Sequence, residues 1–144
     1  MIVVEKIAIE SEIKEILKVR EIVFTFGMHI QHSLDVDGND KISDEYHLFK
    51  AMYDGKIVGT IRAKLEGDTI RLQRFAVLND YRNLGIGIEI FRYVMSYYKN
   101  LGFKHIYFDA MLYVKELYER LGFKAIGEPF MEAGYPHVKM VIDL

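Results

Sequence analysis

Six consecutive residues, Arg82-Asn83-Leu84-Gly85-Ile86-Gly87, set a guanidinium ahead of two closely spaced glycines. They follow a strand-like stretch and open a segment of helical spacing. The first turn of a helix leaves several backbone N–H groups unpaired, and the aligned peptide dipoles put partial positive charge there. Glycines let an anion approach those groups without a Cβ in the way. An arginine beside them can fork onto phosphate oxygens. Residues of these types at this spacing describe a pyrophosphate cradle. A dinucleotide fingerprint would need a third glycine, and position 90 is Ile. A P-loop would need Gly-Lys-Ser/Thr, which is absent.

A second run, Asp35-Val-Asp-Gly-Asn-Asp-Lys-Ile-Ser-Asp-Glu-Tyr46, imitates a calcium loop. Asp35, Asp37 and Asn39 fall on ligand positions. However, Asp40 stands where the loop needs glycine, and Tyr46 where it needs a bidentate glutamate. A specific calcium site is therefore not expected, and the metal assignment is none. The run reads instead as a negative rim that attracts a cationic substrate, or as a solvated loop.

These groups need elements to hold them. Weak alternation predicts a strand over 1–10. Ser11 is placed to cap a helix whose apolar positions run from Ile13 to Phe24, with Gly27 as its stop. The acidic segment is a loop, or a short helix and a loop. Strands follow over 47–53, 56–66 and 69–77, turned at Asp54-Gly55 and Gly67-Asp68, so they form an antiparallel meander. A helix spans 85–101, a strand 104–110 and a short helix 113–121. Two strands, 123–131 and 137–142, close the chain. The order β-α-(α)-β-β-β-α-β-α-β-β predicts a mixed α/β (α+β) sheet, and with no linker in sight residues 1–144 read as one domain.

Composition sets the outer limits. A chain of 144 residues with 51% apolar and 28% charged side chains can bury a core and is not a disordered sequence. Nineteen basic against 21 acidic residues argues against nucleic acid as a partner. The absence of cysteine removes disulfides, thiolate metal sites and cysteine nucleophiles. It also fits a reducing cytoplasm. No apolar run approaches the ~20 residues of a membrane span, so a soluble protein with no membrane partner is expected.

The strand Leu72-Gln-Arg-Phe-Ala-Val77, the motif Arg82-x-x-Gly85-x-Gly87 and the later Phe108-Asp-Ala and Leu117-Tyr-Glu-Arg-Leu-Gly-Phe123 occur in one order along the chain. Together they resemble the GNAT superfamily of acyl-CoA-dependent N-acetyltransferases. Arg20-Glu-Ile-Val-Phe24, Asp35-x-Asp37-x-x-Asp40, His47-Leu48 and Glu132-Ala-Gly-Tyr-Pro-His-Val-Lys-Met140 are similar to its ElaA/YjcF-like subgroup. One departure stands out: subgroup members often carry Val-x-Glu-Gln after the Val-Phe pair, where this chain has Thr25-Phe26-Gly27-Met28.

The resemblance implies acetyl-CoA as donor substrate and a primary amine, in a small molecule or a peptide, as acceptor. It implies that Phe75 and Val77, flanking Ala76, offer backbone groups to the pantetheine. Asn83, Gly85 and Gly87 would offer N–H groups to the pyrophosphate, within the segment that includes Leu84 and Ile86 and beside Arg82. Tyr118 would lie near the thioester sulfur as general acid. Asp109 stands where an Asn is common and is grouped with the cofactor-binding residues; it could also receive the amine or cap the following helix. The base that some members carry on the strand before the phosphate loop is missing, since Gln73 and Arg74 cannot serve. His137 is favoured as base or acceptor contact, on a turn expected to face the acceptor cleft. His47 is expected to be structural, holding the acidic loop. The competing reading is a module of the same fold that binds acyl-CoA without turnover. A homodimer is the commonest assembly for such a chain.

Overall fold

A computed structural model describes every residue from Met1 to Leu144. Strand β1 (Ile2–Lys6) leads into helix α1 (Glu10–Arg20). The helix starts earlier than Ser11 predicts. Ile9 holds the capping position with extended backbone and no side-chain bond, which puts Ser11 inside the first turn. Glu10 and Glu12 still favour the positive end of the dipole. Beyond Arg20 the helix widens into a π-helical stretch (Glu21–Gly27), then gives a single turn, α2 (His32–Asp35).

The meander forms as expected. Strands β2 (Tyr46–Tyr53), β3 (Lys56–Glu66) and β4 (Thr69–Val77) pair antiparallel in sequence order. Helix α3 (Ile86–Asn100), strand β5 (His105–Met111), helix α4 (Lys115–Arg120) and strands β6 (Lys124–Glu132) and β7 (Tyr135–Asp143) complete the chain. The seven strands make one sheet in the order β1-β2-β3-β4-β5-β7-β6. The fold class is the mixed α/β sheet read from the sequence.

Alternation along the strands divides the side chains between two faces. Ile70, Leu72, Ile106, Phe108, Val138 and Met140 point to one face and pack beneath α3 and α4 against Ile90, Phe91 and Val94. The other face meets α1 through Ile13, Ile16 and Leu48, and meets the π-helical stretch through Val23 and Ala76. His47 stacks on Tyr98 of α3, with ring centroids 5.8 Å apart, and its Nδ1 lies 2.7 Å from the Tyr98 hydroxyl. It is structural, as expected, but it anchors α3 rather than the acidic loop.

One junction in this sheet differs from the rest. β4 and β5 are its only parallel pair, and they meet at just three positions: Thr69 with His105, Ile70 with Ile106, Arg71 with Tyr107. Past Arg71 the strands part. A bulge in β4 accompanies the split: one β3 residue, Ile61, stands opposite both Arg74 and Phe75. Arg74 takes the extra place with φ 56, a left-handed conformation that a side chain rarely adopts. A bulge bends its strand and raises its twist.

Candidate active site

The mouth of the split is closed by the start of α3. Asn83 (φ 65) and Gly85 (φ 83) both take left-handed backbone, which turns successive N–H groups to one side. The first residue of this helix to form a backbone bond is Glu89, to the Gly85 carbonyl at 3.1 Å. The N–H groups from Asn83 to Ile88 have no backbone partner, and no side chain caps the helix. Ile86 buries its side chain in the core and so fixes the helix end, whereas Leu84 lies exposed. Gly87 has a second reason to lack a side chain. A Cβ there would stand 3.0 Å from Cζ of Phe75.

Behind the cradle runs the free edge of β4. The Leu78 N–H bonds back to Val58, so alternation turns the backbone groups of Phe75 and Val77 away from β3 and into the split. The Val77 carbonyl is already engaged there, accepting from Arg82 Nε at 3.2 Å. Arg82 also reaches the Asn79 side chain at 3.4 Å. The guanidinium is thus tethered at the cradle rather than free in solvent.

Under the split, aromatic rings form the floor. Phe75 meets Phe91 edge-on at 4.9 Å, and Tyr118 packs on Phe91 at 5.0 Å and on Phe108 at 4.7 Å. Tyr118 is only 5% exposed. Its hydroxyl makes no hydrogen bond, yet the one fully buried side-chain polar atom without a partner is Thr25 Oγ1. The Tyr118 hydroxyl therefore reaches accessible surface at the tip of a buried ring. Burial, with a smaller effect from Tyr113, pushes its phenol well above the ordinary value. Tyr113 itself is exposed at the rim.

The opposite face carries the polar groups. Asp109 does not cap the turn that follows β5, because Met111 holds that position. Its carboxylate pairs instead with Arg71 at 3.4 Å. His137 is more buried than a strand histidine on an open turn, at 7% exposure. Its Nδ1 lies 2.7 Å from the Tyr135 carbonyl, which makes Nδ1–H the donor. Nε2 stands 3.6 Å from Glu132. Tyr135 crosses to donate its hydroxyl to the Met28 carbonyl at 2.8 Å, joining the β6–β7 turn to the end of the π-helical stretch.

The first three aspartates of the acidic run form an ion-pair network, whereas Asp44 and Glu45 stay exposed and unpaired. Asp35 and Asp40 are buried, and both bind Arg20. Asp37 and Asp40 bind Arg62, whose guanidinium also donates to Gln73. Arg74, on the bulge, donates to the Leu34 and Asp35 carbonyls and pairs with Asp35 and Asp37. Three arginines thus neutralise three aspartates across one side of β4. Burial alone would raise the carboxyl of Asp37, but hydrogen bonding from Arg62 overrides it and holds the group well below the usual carboxylate range. Reading the carboxylates alone missed this. The signal was the matching set of arginines at positions 20, 62 and 74.

A mixed sheet that splits at its central parallel pair, with a bare helix N-terminus at the mouth, is the architecture of the acyl-CoA N-acyltransferases. The chain belongs to the acetyltransferase (GNAT) domain family, whose model matches residues 24–144. It is therefore an acyltransferase. Two relatives from Bacillus subtilis match it nearly end to end. YyaT is 28% identical and covers 98% of this chain and 95% of its own. The N-acetyltransferase YjcF is 27% identical and covers 93% and 94%. The crystal structure of ElaA from Escherichia coli superposes with a TM-score of 0.86 at 21% identity, covering 98% of this chain and 99% of that one. No helix is long and apolar enough to cross a membrane.

Proposed function

We propose that residues 1–144 act as one cytoplasmic domain that moves an acetyl group from acetyl-CoA to a primary amine, by direct attack of the amine on the thioester. The observation that carries this reading is the unpartnered Tyr118 hydroxyl at the tip of a buried ring beneath the β4–β5 split. In this reading the pyrophosphate takes the N–H groups of Asn83 to Ile88, with Arg82 beside it. The pantetheine lies along Phe75-Ala76-Val77 as an added strand would. Arg82 then exchanges the Val77 carbonyl for phosphate oxygen.

An ammonium of ordinary pKa near 10.4 must first lose a proton, at a cost of about 4–5 kcal/mol at neutral pH. His137 supplies the base at Nε2, which stands 3.6 Å from Glu132. The amine nitrogen then bonds to the thioester carbon, the C–S bond breaks, and the surplus proton on nitrogen passes to the departing thiolate, leaving the amide and free CoA thiol. Tyr118 donates a hydrogen bond to the sulfur as negative charge grows on it. Asp109 faces the acceptor rather than the cofactor in this reading, since its strand position lies opposite the α3 face.

One observation favours binding without turnover. Gln73 spends its side-chain oxygen on two Arg62 N–H groups, so no base stands on β4. A thiol-release assay with acetyl-CoA and a library of amines decides between the two. Turnover on any amine removes the binding-only reading. Tight CoA binding by calorimetry with no turnover across the library removes the enzyme.

A further inference from the structure

Strand β4 changes phase at Arg74. Ile70 and Leu72 point to the α3 face, and strict alternation would send Arg74 and Ala76 after them. Phe75 and Val77 take that face instead, while Ala76 packs with Val19 and Val23 on the α1 side. The extra residue of the bulge makes the difference, since a slip of one position exchanges the two faces of a strand. The same slip governs the backbone. It turns the N–H and C=O groups of Phe75 and Val77 into the split, where those of Arg74 and Ala76 would otherwise lie.

A left-handed backbone at a residue other than glycine persists only where its surroundings hold it. Arg74, at φ 56, is held by its side chain. Nε donates to the Asp35 carbonyl at 3.0 Å, and Nη2 to the Leu34 carbonyl at 3.2 Å. The carboxylates of Asp35 and Asp37 each stand 3.3 Å from the guanidinium. These anchors are themselves fixed. Asp35 is buried against Arg20, and Asp37 is bound by Arg62, which also holds Gln73, the residue before the bulge. On the other side Phe75 follows the bulge directly. Its ring meets Phe91 and fills the space that a Gly87 side chain would need.

We infer that Arg74 is a positioning residue for the cofactor: the acidic run grips its guanidinium, and that grip keeps the bulge that presents Phe75 and Val77 to the pantetheine. The run from Asp35 to Asp40 then acts on the cofactor without touching it. Its reach is selective. The cradle from Asn83 to Ile88 is fixed by the burial of Ile86, on another element, so the pyrophosphate does not depend on the bulge. The inference rests on the acetyl-transfer reading for the identity of the ligand.

The test separates the two halves of the cofactor. CoA carries pyrophosphate and pantetheine, whereas ADP carries the pyrophosphate without pantetheine. Dissociation constants come from calorimetry for CoA and from competition against CoA for ADP. Arg74→Met keeps most of the side chain but none of its hydrogen bonds. It should weaken CoA by about tenfold or more and leave ADP within about twofold. Arg74→Gly accepts left-handed backbone without strain, so it should retain more CoA affinity than Arg74→Met, with its loss again on CoA rather than ADP. That selectivity is what a merely structural role would not produce, since lost stability lowers Tm and affects both ligands alike. Unchanged CoA affinity in Arg74→Met overturns the inference, and so does an equal loss for CoA and ADP. A glycine variant no better than the methionine one overturns it too, because the charge and not the bulge would then matter. Wild-type protein that binds neither ligand removes the acetyl-transfer reading and this inference with it. Thiol release by the wild type, with an unselective loss in Arg74→Met, removes this inference alone.

Discussion

Replacing Tyr118 with Phe removes one oxygen and leaves the ring in place. The contacts to Phe91 and Phe108 belong to the ring, and the hydroxyl has no hydrogen-bond partner to lose. Stability should therefore change by less than about 0.5 kcal/mol, the range for a substitution that breaks no buried contact. Catalysis should respond differently. A thiol near pKa 8.5 is a stronger acid than a phenol near 10, so full proton transfer from an ordinary tyrosine to the thiolate is uphill by roughly 2 kcal/mol. Burial pushes the Tyr118 phenol higher still and makes that transfer costlier. The hydroxyl then acts by hydrogen-bonding the developing thiolate. A hydrogen bond to a charged group contributes about 1.5–3 kcal/mol. Its loss should lower kcat by roughly 10- to 150-fold. The assay is thiol release at saturating acetyl-CoA, after a single-turnover experiment has shown that chemistry limits the rate. CoA affinity should stay within about twofold. A Phe variant with full kcat under those conditions refutes the argument, and so does one whose Tm collapses.

Gly87→Ala places a methyl against the Phe75 ring and should cost about 1–3 kcal/mol by overpacking. Phe75→Leu in the same chain should recover most of that Tm loss, and a double variant no more stable than the single would disprove the contact. Arg62→Met leaves Asp40 with Arg20 alone and Asp37 with Arg74 alone, a loss of about 1.5–3 kcal/mol in urea unfolding for the charged hydrogen bonds removed. A loss below about 1 kcal/mol would show that the three-arginine network is not cooperative. Burial, aided by the charge of Lys6, lowers the pKa of His47, with Asp44 opposing. The unfolded chain then binds the extra proton first, so this contribution is complete above pH ~6.5 and is lost as pH falls through the lower folded value. Tm should decline between about pH 7 and pH 5, and His47→Phe should flatten part of that slope. An unchanged slope removes His47 as its source.

Elements set by local pattern were legible in the sequence. The meander followed from alternation and from turn chemistry at Asp54-Gly55 and Gly67-Asp68, and the uncapped helix start from the glycines at 85 and 87. What escaped was fixed by contacts far apart in the chain. Ser11 looked like a cap because serine commonly caps, but Ile13 and Ile16 set the helix phase by their burial, and the start moved to Glu10. Nothing local announces a left-handed arginine in the middle of a strand. Arg74 holds that conformation because Asp35, Asp37 and the Leu34 carbonyl, almost forty residues upstream, receive its guanidinium. Likewise His137 could be suspected from its type. Its partners, the Tyr135 carbonyl and Glu132, are brought near only by the folded hairpin.

The three-pair junction of β4 and β5 also bears on how the chain folds. Every other strand pairing lies within residues 2–77 or within residues 105–143, so the sheet is divided along the sequence as it is in space. Hairpins inside each half close short loops and form early, whereas joining the halves must span α3 and close a longer loop. Held by only three residue pairs, the seam is the first place for the sheet to open. A ligand lodged in the seam binds only the joined sheet, so it stabilises that state over a chain with two separate halves. Amide hydrogens of β4 and β5 near Arg71 and Tyr107 would then gain the most protection from exchange when the cofactor is added.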